Sequence, residues 1–209
     1  RILEAAFIAA WLFPLFWLIV TSLQRESDVV SSTLRLLPAA PSFANYLKAL
    51  RSTEIVRWML NSVFVSTATM AVTVLVDAPI AYALAKIKFP GRTILFWCAM
   101  AGMMVPFQVL IIPLYQQFNG YGLIDTLSGA ILPRLALPIG IFILKQFFEG
   151  IPSVLEEAAF IDGAHRFRVF RSIILPLGKA ALATVVILSF INAWNDFMWP
   201  LIVINDTAR

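Results

Sequence analysis

The sequence predicts an all-α membrane protein that crosses the bilayer several times. Its 209 residues are 60% hydrophobic and only 13% charged, and the mean hydropathy is +0.85. A soluble domain has about 45–50% apolar and about 25% charged residues, so a soluble core has no room for this much apolar surface. Five apolar segments are each long enough to cross the hydrocarbon as a helix. We therefore expect a single transmembrane domain over residues 1–209.

The predicted spans follow from the lengths of the apolar segments, because about 20 apolar residues cross a bilayer as a helix. A polar stub, Arg1–Glu4, precedes the first span, in which Pro14 is expected to introduce a kink. Pro106 and Pro113 interrupt the third span. The five spans are predicted at residues 5–23, 58–85, 93–118, 127–147 and 179–204.

The loops between the spans predict the orientation of the chain. Lys86–Arg92, KIKFPGR, is a tight turn with three cations, whereas the short loop Asn119–Thr126 has none. Because cations favour the cytoplasmic side, the turn is placed inside, the loop outside and the N-terminus in the cytoplasm. Gln24–Arg57 is predicted to be an irregular external loop with short helices, since long loops cross largely regardless of charge.

A polar island, Gly150–Pro176, separates the fourth and fifth apolar segments. Pro152 favours the start of a new helix, and the acidic Glu156 and Glu157 suit its N-terminus. Gly163 is expected to end it, which predicts a helix of about three turns. Composition alone also fits a solvated helix lying on the membrane surface.

A second helical piece follows in the island. Arg166, Arg168 and Arg171 alternate there with apolar residues, and Pro176 is expected to end the piece before the last span. The three arginines agree with a cytoplasmic position for the island.

The island also carries a motif of fixed spacing: Glu157-Ala158-Ala159, three residues, Gly163, nine residues, Ile173, one residue, Leu175-Pro176. This motif resembles the cytoplasmic EAA loop of the permease subunits of bacterial ABC importers. Asp162-Gly163-Ala164 and Phe170 extend the resemblance toward the carbohydrate-uptake branch, which includes maltose, trehalose and glycerol-phosphate transporters. The wider resemblance runs from about Leu12 to the C-terminus, through Asn61-Ser62, residues 81–85, Phe89-Pro90-Gly91 and Trp194-Asn195-Asp196.

The resemblance implies a multi-pass permease of the bacterial inner membrane, with a sixth span beyond Arg209 and a longer tail before Arg1. It implies a second permease subunit, identical or merely similar, together with two ATPase subunits and an extracytoplasmic solute-binding protein. ATP and Mg would be bound by the ATPase subunits, and no cofactor by this chain. The residues implied to couple to the ATPase are Glu157, Ala158, Ala159, Asp162, Gly163 and Ala164.

The residues themselves indicate no catalytic or metal site. No G-x-x-x-x-G-K-[ST] loop is present, and Gly178-Lys179 lacks both the earlier glycine and the hydroxyl residue. We therefore expect a transport subunit that does not hydrolyse ATP itself. His165 has no histidine or cysteine nearby, which argues against a metal site. Cys98 is the single cysteine, so no disulfide forms within the chain.

The outer half of the last span is a candidate surface for binding a solute. Asn192, Asn195 and Asp196 stand at i, i+3 and i+4, so they are expected to share one face of a helix, with Trp194 pointing elsewhere. Amides and carboxylates are suited to bridging sugar hydroxyls. The alternative is that the asparagines join neighbouring helices.

Three further polar residues lie within apolar segments, where they are costly. Arg134 either offers a positive charge to the pathway or extends to the interface. Gln108 is a second pathway candidate, because broken helices line cavities. Asp77 either lines the pathway or satisfies backbone groups that Pro79 leaves free.

The sequence is therefore compatible with three functions. The first is an ABC importer permease that forms half of the pathway for a neutral sugar or sugar-like solute. The second is an ABC permease for glycerol phosphate, another polyol or a peptide, in which Arg134 would attract a phosphate. The third is a channel or secondary transporter that works without ATP; the island motif argues against it, and no inverted repeat supports it.

Overall fold

A computed structural model describes residues 1–25, 37–38, 40–51 and 53–205, and every regular element in these ranges is helical. Residues 26–36, 39 and 52 of the predicted external loop lie outside the described residues. The chain divides into two compact units, Arg1–Leu60 and Asn61–Arg209.

The first unit contains helix α1, Ile2–Ser22, and the short helix α2, Ala44–Arg51. The hydroxyl groups of Ser22 and Tyr46 lie 2.7 Å apart. The amide of Asn45 donates to the carbonyl oxygen of Ser22 at 3.1 Å. These bonds hold the start of α2 at the C-terminal end of α1.

Helix α3, Thr53–Lys86, is the longest element among the described residues. Its residues Glu54–Lys86 form the one described helix that is long and apolar enough to cross a membrane unaided. It begins five residues before the predicted span at 58, and Glu54 in its first turn suits the positive end of the helix dipole. Pro79 lies inside it without ending it.

The predicted third span, 93–118, is two helices. Helices α4, Arg92–Gly102, and α5, Phe107–Gly120, meet at 98°. The break falls before Pro106, which has no N–H to continue the helical hydrogen bonds. Pro113, by contrast, lies inside α5.

The predicted fourth span is bent as well. Helix α6, Leu127–Ile131, runs into a 3₁₀ turn at Leu132–Arg134, and helix α7 follows at Pro138–Glu149 with a bend of 47°. Pro133 and Pro138 account for the irregular stretch between them, because each removes a backbone donor.

The island and the last apolar segment contain several short helices. The chain bends by 81° at Gly178, whereas Pro176 lies inside a helical segment, so the predicted break at Pro176 is wrong. A Cβ atom at Gly178 would lie 2.6 Å from the Phe148 ring, so only glycine permits this close turn. The elements are α8, Val154–Ile161; α9, Arg166–Val169; a π-helical turn, Phe170–Ile174; α10, Leu175–Leu177; α11, Lys179–Trp194; and α12, Met198–Val203.

Length and composition give one to four membrane spans among the described residues, the larger number if each bent pair is one span. The stretch Ala6–Ser22 of α1 is apolar but shorter than the other candidates. The predicted helical fold is therefore confirmed, whereas the number of five spans stays a prediction.

Two buried apolar clusters mark different ends of the Asn61–Arg209 unit. The first includes Tyr82, Phe148 and Phe170 and packs against Ile87 and Phe89 of the KIKFPGR turn. The second consists of Phe118, Ala130, Trp199 and Val203, against which Leu123 and Ile124 pack. The KIKFPGR turn and the island thus lie at one end of this unit, and the loop Asn119–Thr126 lies at the other.

Candidate functional site

Helix α8 of the island presents most of its surface to solvent. Glu157, Ala158 and Asp162 are exposed, and Glu156 is the one buried residue of this fully described helix. The acidic pair lies in the first turn, as predicted. The helix has eight residues, or about two turns, rather than the predicted three. It begins only at Val154, and the turn at Gly163 follows soon after its last residue.

The end of α8 is closed by a Schellman motif around Gly163. This glycine has φ +81°, in the left-handed region. The N–H of Ala164 donates to the carbonyl of Ala159 at 2.9 Å, and that of Gly163 donates to Phe160 at 3.0 Å. These two bonds satisfy carbonyl groups that the helix end would leave free. The predicted stop at Gly163 therefore has a defined geometry.

The buried carboxylate of Glu156 joins the island to the end of α3. Its Oε1 lies 3.1 Å from Nζ of Lys86, and its Oε2 lies 3.5 Å from the hydroxyl of Tyr82. Lys86 also donates to the carbonyl of Ile151 at 2.5 Å. Sequence reasoning overlooked this contact and chose Glu157. The signal was a lysine that ends a long apolar helix opposite a pair of acidic residues.

A second contact connects α3 to the later part of the island. The rings of Tyr82 and Phe170 lie 5.1 Å apart and both are buried. Tyr82 therefore touches both helical pieces of the island.

A cavity of about 170 Å³ lies between helices of the Asn61–Arg209 unit. Arg134 and Asn192, two of the predicted pathway residues, line it, whereas Gln108, Asn195 and Asp196 do not. Gln108 and Asn195 are exposed. The lining consists of Thr69, Thr73, Phe107, Pro133, Arg134, Ala136, Leu137, Pro138, Ser189 and Asn192.

Arg134 is paired with Asp196 at the edge of this cavity. Its Nε and Nη2 each lie 2.7 Å from Oδ2 of Asp196, and its guanidinium lies 4.7 Å from the centre of the Phe107 ring. Asp196 also accepts the N–H of Trp199 at 3.5 Å. The guanidinium is thus held by its carboxylate and by a cation–π contact.

The predicted common face of Asn192, Asn195 and Asp196 is not formed. Helix α11 ends at Trp194, so Asp196 lies beyond it, in the break before α12. The amides of Asn192 and Asn195 donate to the carbonyls four residues earlier, at 2.8 and 3.0 Å. The side-chain oxygens of both asparagines can still accept hydrogen bonds. Of the two residues, only Asn192 lines the cavity.

Asp77 does not line the cavity. It is fully buried and accepts the N–H of Leu137 at 3.2 and 3.3 Å, so it caps the start of α7 from a different helix. Asp77 was expected either to line the pathway or to accept hydrogen bonds from backbone groups that Pro79 leaves free. Both expectations are wrong, because its carboxylate binds the backbone of Leu137 instead. Nearby, the hydroxyl of Thr73 donates to the carbonyl of Arg134 at 2.9 Å.

Sequence reasoning missed Thr73 and Ser189. The spacing of Thr69, Thr73 and Asp77, four residues apart on α3, was the available signal, because such residues share one helix face.

No group of three metal-binding side chains occurs among the residues that the structure describes. His165 is exposed at the start of α9.

Comparison with known proteins identifies the family of the chain. Residues 77–208 match the family model described as the binding-protein-dependent transport system inner membrane component. The chain belongs to this family. The permease is 36% identical over 199 residues, 94% of the chain and 71% of the relative, to the arabinooligosaccharides transport system permease protein AraQ of Bacillus subtilis. It is 34% identical, over 93% of the chain and 71% of the relative, to the sn-glycerol-3-phosphate transport system permease protein UgpE of Agrobacterium fabrum.

The permease also resembles a second sugar permease and a solved structure. The permease is 34% identical to the diacetylchitobiose uptake system permease protein NgcG of Streptomyces coelicolor, over 94% of the chain and 65% of that relative. It superposes with a TM-score of 0.90 and 26% identity on a chain from a bacterial ABC transporter involved in the import of the acidic polysaccharide alginate, covering 99% of this chain and 73% of that one.

The permease is therefore the transmembrane subunit of an ABC importer, integral to the inner membrane. It has no ATPase of its own, and importers of this kind work with ATPase subunits, a partner permease and a solute-binding protein.

Proposed function

We propose that the permease forms half of the translocation pathway for a neutral sugar or sugar-like solute. The observation that carries the proposal is the charge of the cavity. Arg134 is the only charged residue in its lining, all of which the structure describes, and its charge is met by Asp196 at 2.7 Å. What remains is Thr69, Thr73, Ser189 and Asn192, with the Phe107 ring beside them, which suits hydroxyl groups and apolar sugar faces.

The names of relatives support the same solute class. Relatives at 36% and 34% identity are named for arabinooligosaccharides and diacetylchitobiose. The second candidate is a glycerol phosphate, because a relative at 34% identity is named for it and Arg134 lies at the cavity. A phosphate would have to compete with Asp196 for the guanidinium, and we therefore prefer the neutral solute.

The island is proposed to be the coupling loop, residues 150–176. Its motif residues Glu157, Ala158 and Asp162 are exposed, and so is the apolar Ile161, at 86%. A short helix with an exposed apolar edge and a charged start is suited to a cleft on another protein. The remaining motif residues, Ala159, Gly163 and Ala164, shape its end through the Schellman motif.

The assembly is proposed to contain a second permease subunit, two ATPase subunits and an extracytoplasmic solute-binding protein. ATP and Mg are bound by the ATPase subunits. The N-terminus of this chain is placed in the cytoplasm, so that the KIKFPGR turn and the island face the ATPases. Closing of the ATPase pair then moves the island and opens the cavity outward.

A solute screen tests the proposal. The cognate binding protein, loaded with single solutes, is added to the importer reconstituted with its ATPase subunits, and uptake and ATP hydrolysis are measured. Neutral oligosaccharides should stimulate both. Stimulation by glycerol phosphate alone would favour the second candidate, and uptake without any ATPase subunit would contradict the importer model.

A further inference from the structure

Helix α3 reaches from the cavity to the island. Thr69 and Thr73 line the cavity, whereas Lys86 is the last residue of the helix and touches the island. The rise from Thr73 to Lys86 is about 20 Å at about 1.5 Å per residue. A continuous helix of this length transmits a displacement of one end to the other.

The island end of α3 is joined to α8 by an ion pair. Nζ of Lys86 lies 3.1 Å from Oε1 of Glu156, and the two side chains are only 10% and 9% exposed. Opposite charges attract more strongly in a medium of low dielectric constant, and removing one partner leaves the other charge buried. The pair therefore resists separation when α8 is displaced.

Helix α8 is attached to the rest of the unit by the buried Glu156 and by the partly buried Ala159, which packs against the first apolar cluster. Glu156 is the one buried residue of this helix, which the structure describes in full, while Glu157 beside it is exposed. A force applied to the exposed face of α8 thus reaches α3 through the buried carboxylate of Glu156. The hydroxyl of Tyr82, 3.5 Å from the same carboxylate, adds a second contact from α3.

The cavity end of α3 is joined to the opposite wall. Thr73 donates to the carbonyl of Arg134 at 2.9 Å, and Asp77 accepts the N–H of Leu137. Arg134 and Leu137 both line the cavity. A shift of α3 therefore shifts the backbone that shapes the cavity wall.

We propose that the ion pair between Glu156 and Lys86 is the link that carries movement of α8 to α3 and so to the cavity. Both are positioning residues that couple ATP hydrolysis to solute movement, whereas the exposed Glu157 faces the ATPase. The proposal rests on the proposed function, in which residues 150–176 are the coupling loop.

The test uses the importer reconstituted in vesicles with its ATPase subunits and loaded binding protein. Uptake and ATP hydrolysis are measured in the same preparation for Glu156→Gln and Lys86→Met. Both variants should transport at least fivefold less solute per ATP while keeping more than half of the stimulated hydrolysis. Lys86→Arg keeps the charge and should stay within twofold of the parent ratio.

A matched control is Glu149→Gln. It removes an ion pair of 2.7 Å with Lys145 that lies within the single helix α7, so it should leave the solute-to-ATP ratio unchanged. If Glu156→Gln prevents assembly, Lys86→Met and Lys86→Arg decide by the same ratio.

Two results would overturn the link. One is an unchanged ratio in Glu156→Gln and Lys86→Met; the other is a parallel fall of uptake and hydrolysis, which indicates a structural role only. Failure of the proposed function looks different: the ATPase subunits would not copurify with the chain, and Glu157→Ala would keep full stimulated hydrolysis and uptake.

Discussion

Arg134 and Asp196 connect two breaks in the helical chain. Arg134 ends the 3₁₀ turn between α6 and α7, and Asp196 lies between α11 and α12, yet Nε and Nη2 of the arginine both lie 2.7 Å from one carboxylate oxygen. The side chain of Asp196 is only 9% exposed, against 28% for Arg134. The pair keeps two irregular segments together where regular helical hydrogen bonds are interrupted.

Asp196→Asn should therefore destabilise the assembled permease and reduce uptake. The variant loses a charged acceptor of two hydrogen bonds, which costs about 1.5–3 kcal/mol, and it leaves the Arg134 charge at the cavity. Thermal unfolding of the purified complex measures the loss. Glu149→Gln, which removes a pair inside one helix, should cost only about 0.3–0.5 kcal/mol. Equal effects of the two substitutions would contradict a special role for Asp196.

Comparing Asn192→Ala with Asn195→Ala tests whether the solute contacts the cavity or another part of the last apolar segment. Both amides make the same bond to a carbonyl four residues earlier, but only Asn192 lines the cavity. We expect Asn192→Ala to raise the apparent KM for uptake about tenfold, the equivalent of about 1.4 kcal/mol, and Asn195→Ala to change it less than twofold. Transport assays at several solute concentrations give both values, and a larger effect at Asn195 would show that the pathway follows another face.

Gly163→Ala should weaken coupling through the backbone alone. The glycine has φ +81° and open space around it, so the new methyl group meets no neighbour but forces a left-handed conformation that costs about 1–2 kcal/mol. ATP hydrolysis stimulated by loaded binding protein should fall, and further in Gly163→Pro. Gly120→Ala, in equally open space but without positive φ, is the control. Full stimulation in Gly163→Pro would refute the coupling role.

Gly140→Ala should disturb the cap that Asp77 provides. A Cβ atom at Gly140 would lie 2.5 Å from Oδ2 of Asp77 and 3.0 Å from Val185, so the carboxylate must move away from Leu137. Overpacking of this kind costs about 1–3 kcal/mol. Because both changes act on one contact, Asp77→Ala and Gly140→Ala should be non-additive in unfolding experiments. Additive losses would mean that the two sites are independent.

Labelling tests the proposed orientation. Single cysteines at Arg166 and at Tyr121, both exposed, are introduced after Cys98, also exposed, is replaced by serine. A membrane-impermeant maleimide should label position 121 in intact cells and position 166 only in inverted vesicles. Labelling of position 166 from outside would contradict the proposed topology.

Structural features that depend on a few neighbouring residues could be predicted from the sequence. The start of the island helix followed from Pro152 and its acidic first turn, and its end followed from Gly163. Apolar length predicted the helical character of every segment. In each case the physical cause lies within one turn of helix.

Contacts between residues that lie far apart in the chain could not be predicted. Which of Glu156 and Glu157 faces inward is decided by Lys86, on a different helix. The end of α11 at Trp194 removed Asp196 from the expected face, and its partner Arg134 is 62 residues away in the chain. Hydropathy also fails to distinguish a straight span from two helices at 98°, because it records apolar length and not direction.

The 62 residues that separate Arg134 from Asp196 in the chain have a consequence for membrane insertion during synthesis. A ribosome adds about 5–20 residues per second, so the arginine enters the membrane several seconds before its carboxylate exists. During that interval an unpaired guanidinium in the apolar segment opposes insertion by at most about 2.5–3.5 kcal/mol, the cost of an arginine at the centre of a span. We expect nascent chains arrested before Asp196 to insert the 127–147 segment poorly, and chains that include it to insert both segments together, as glycosylation mapping of the arrested chains would reveal.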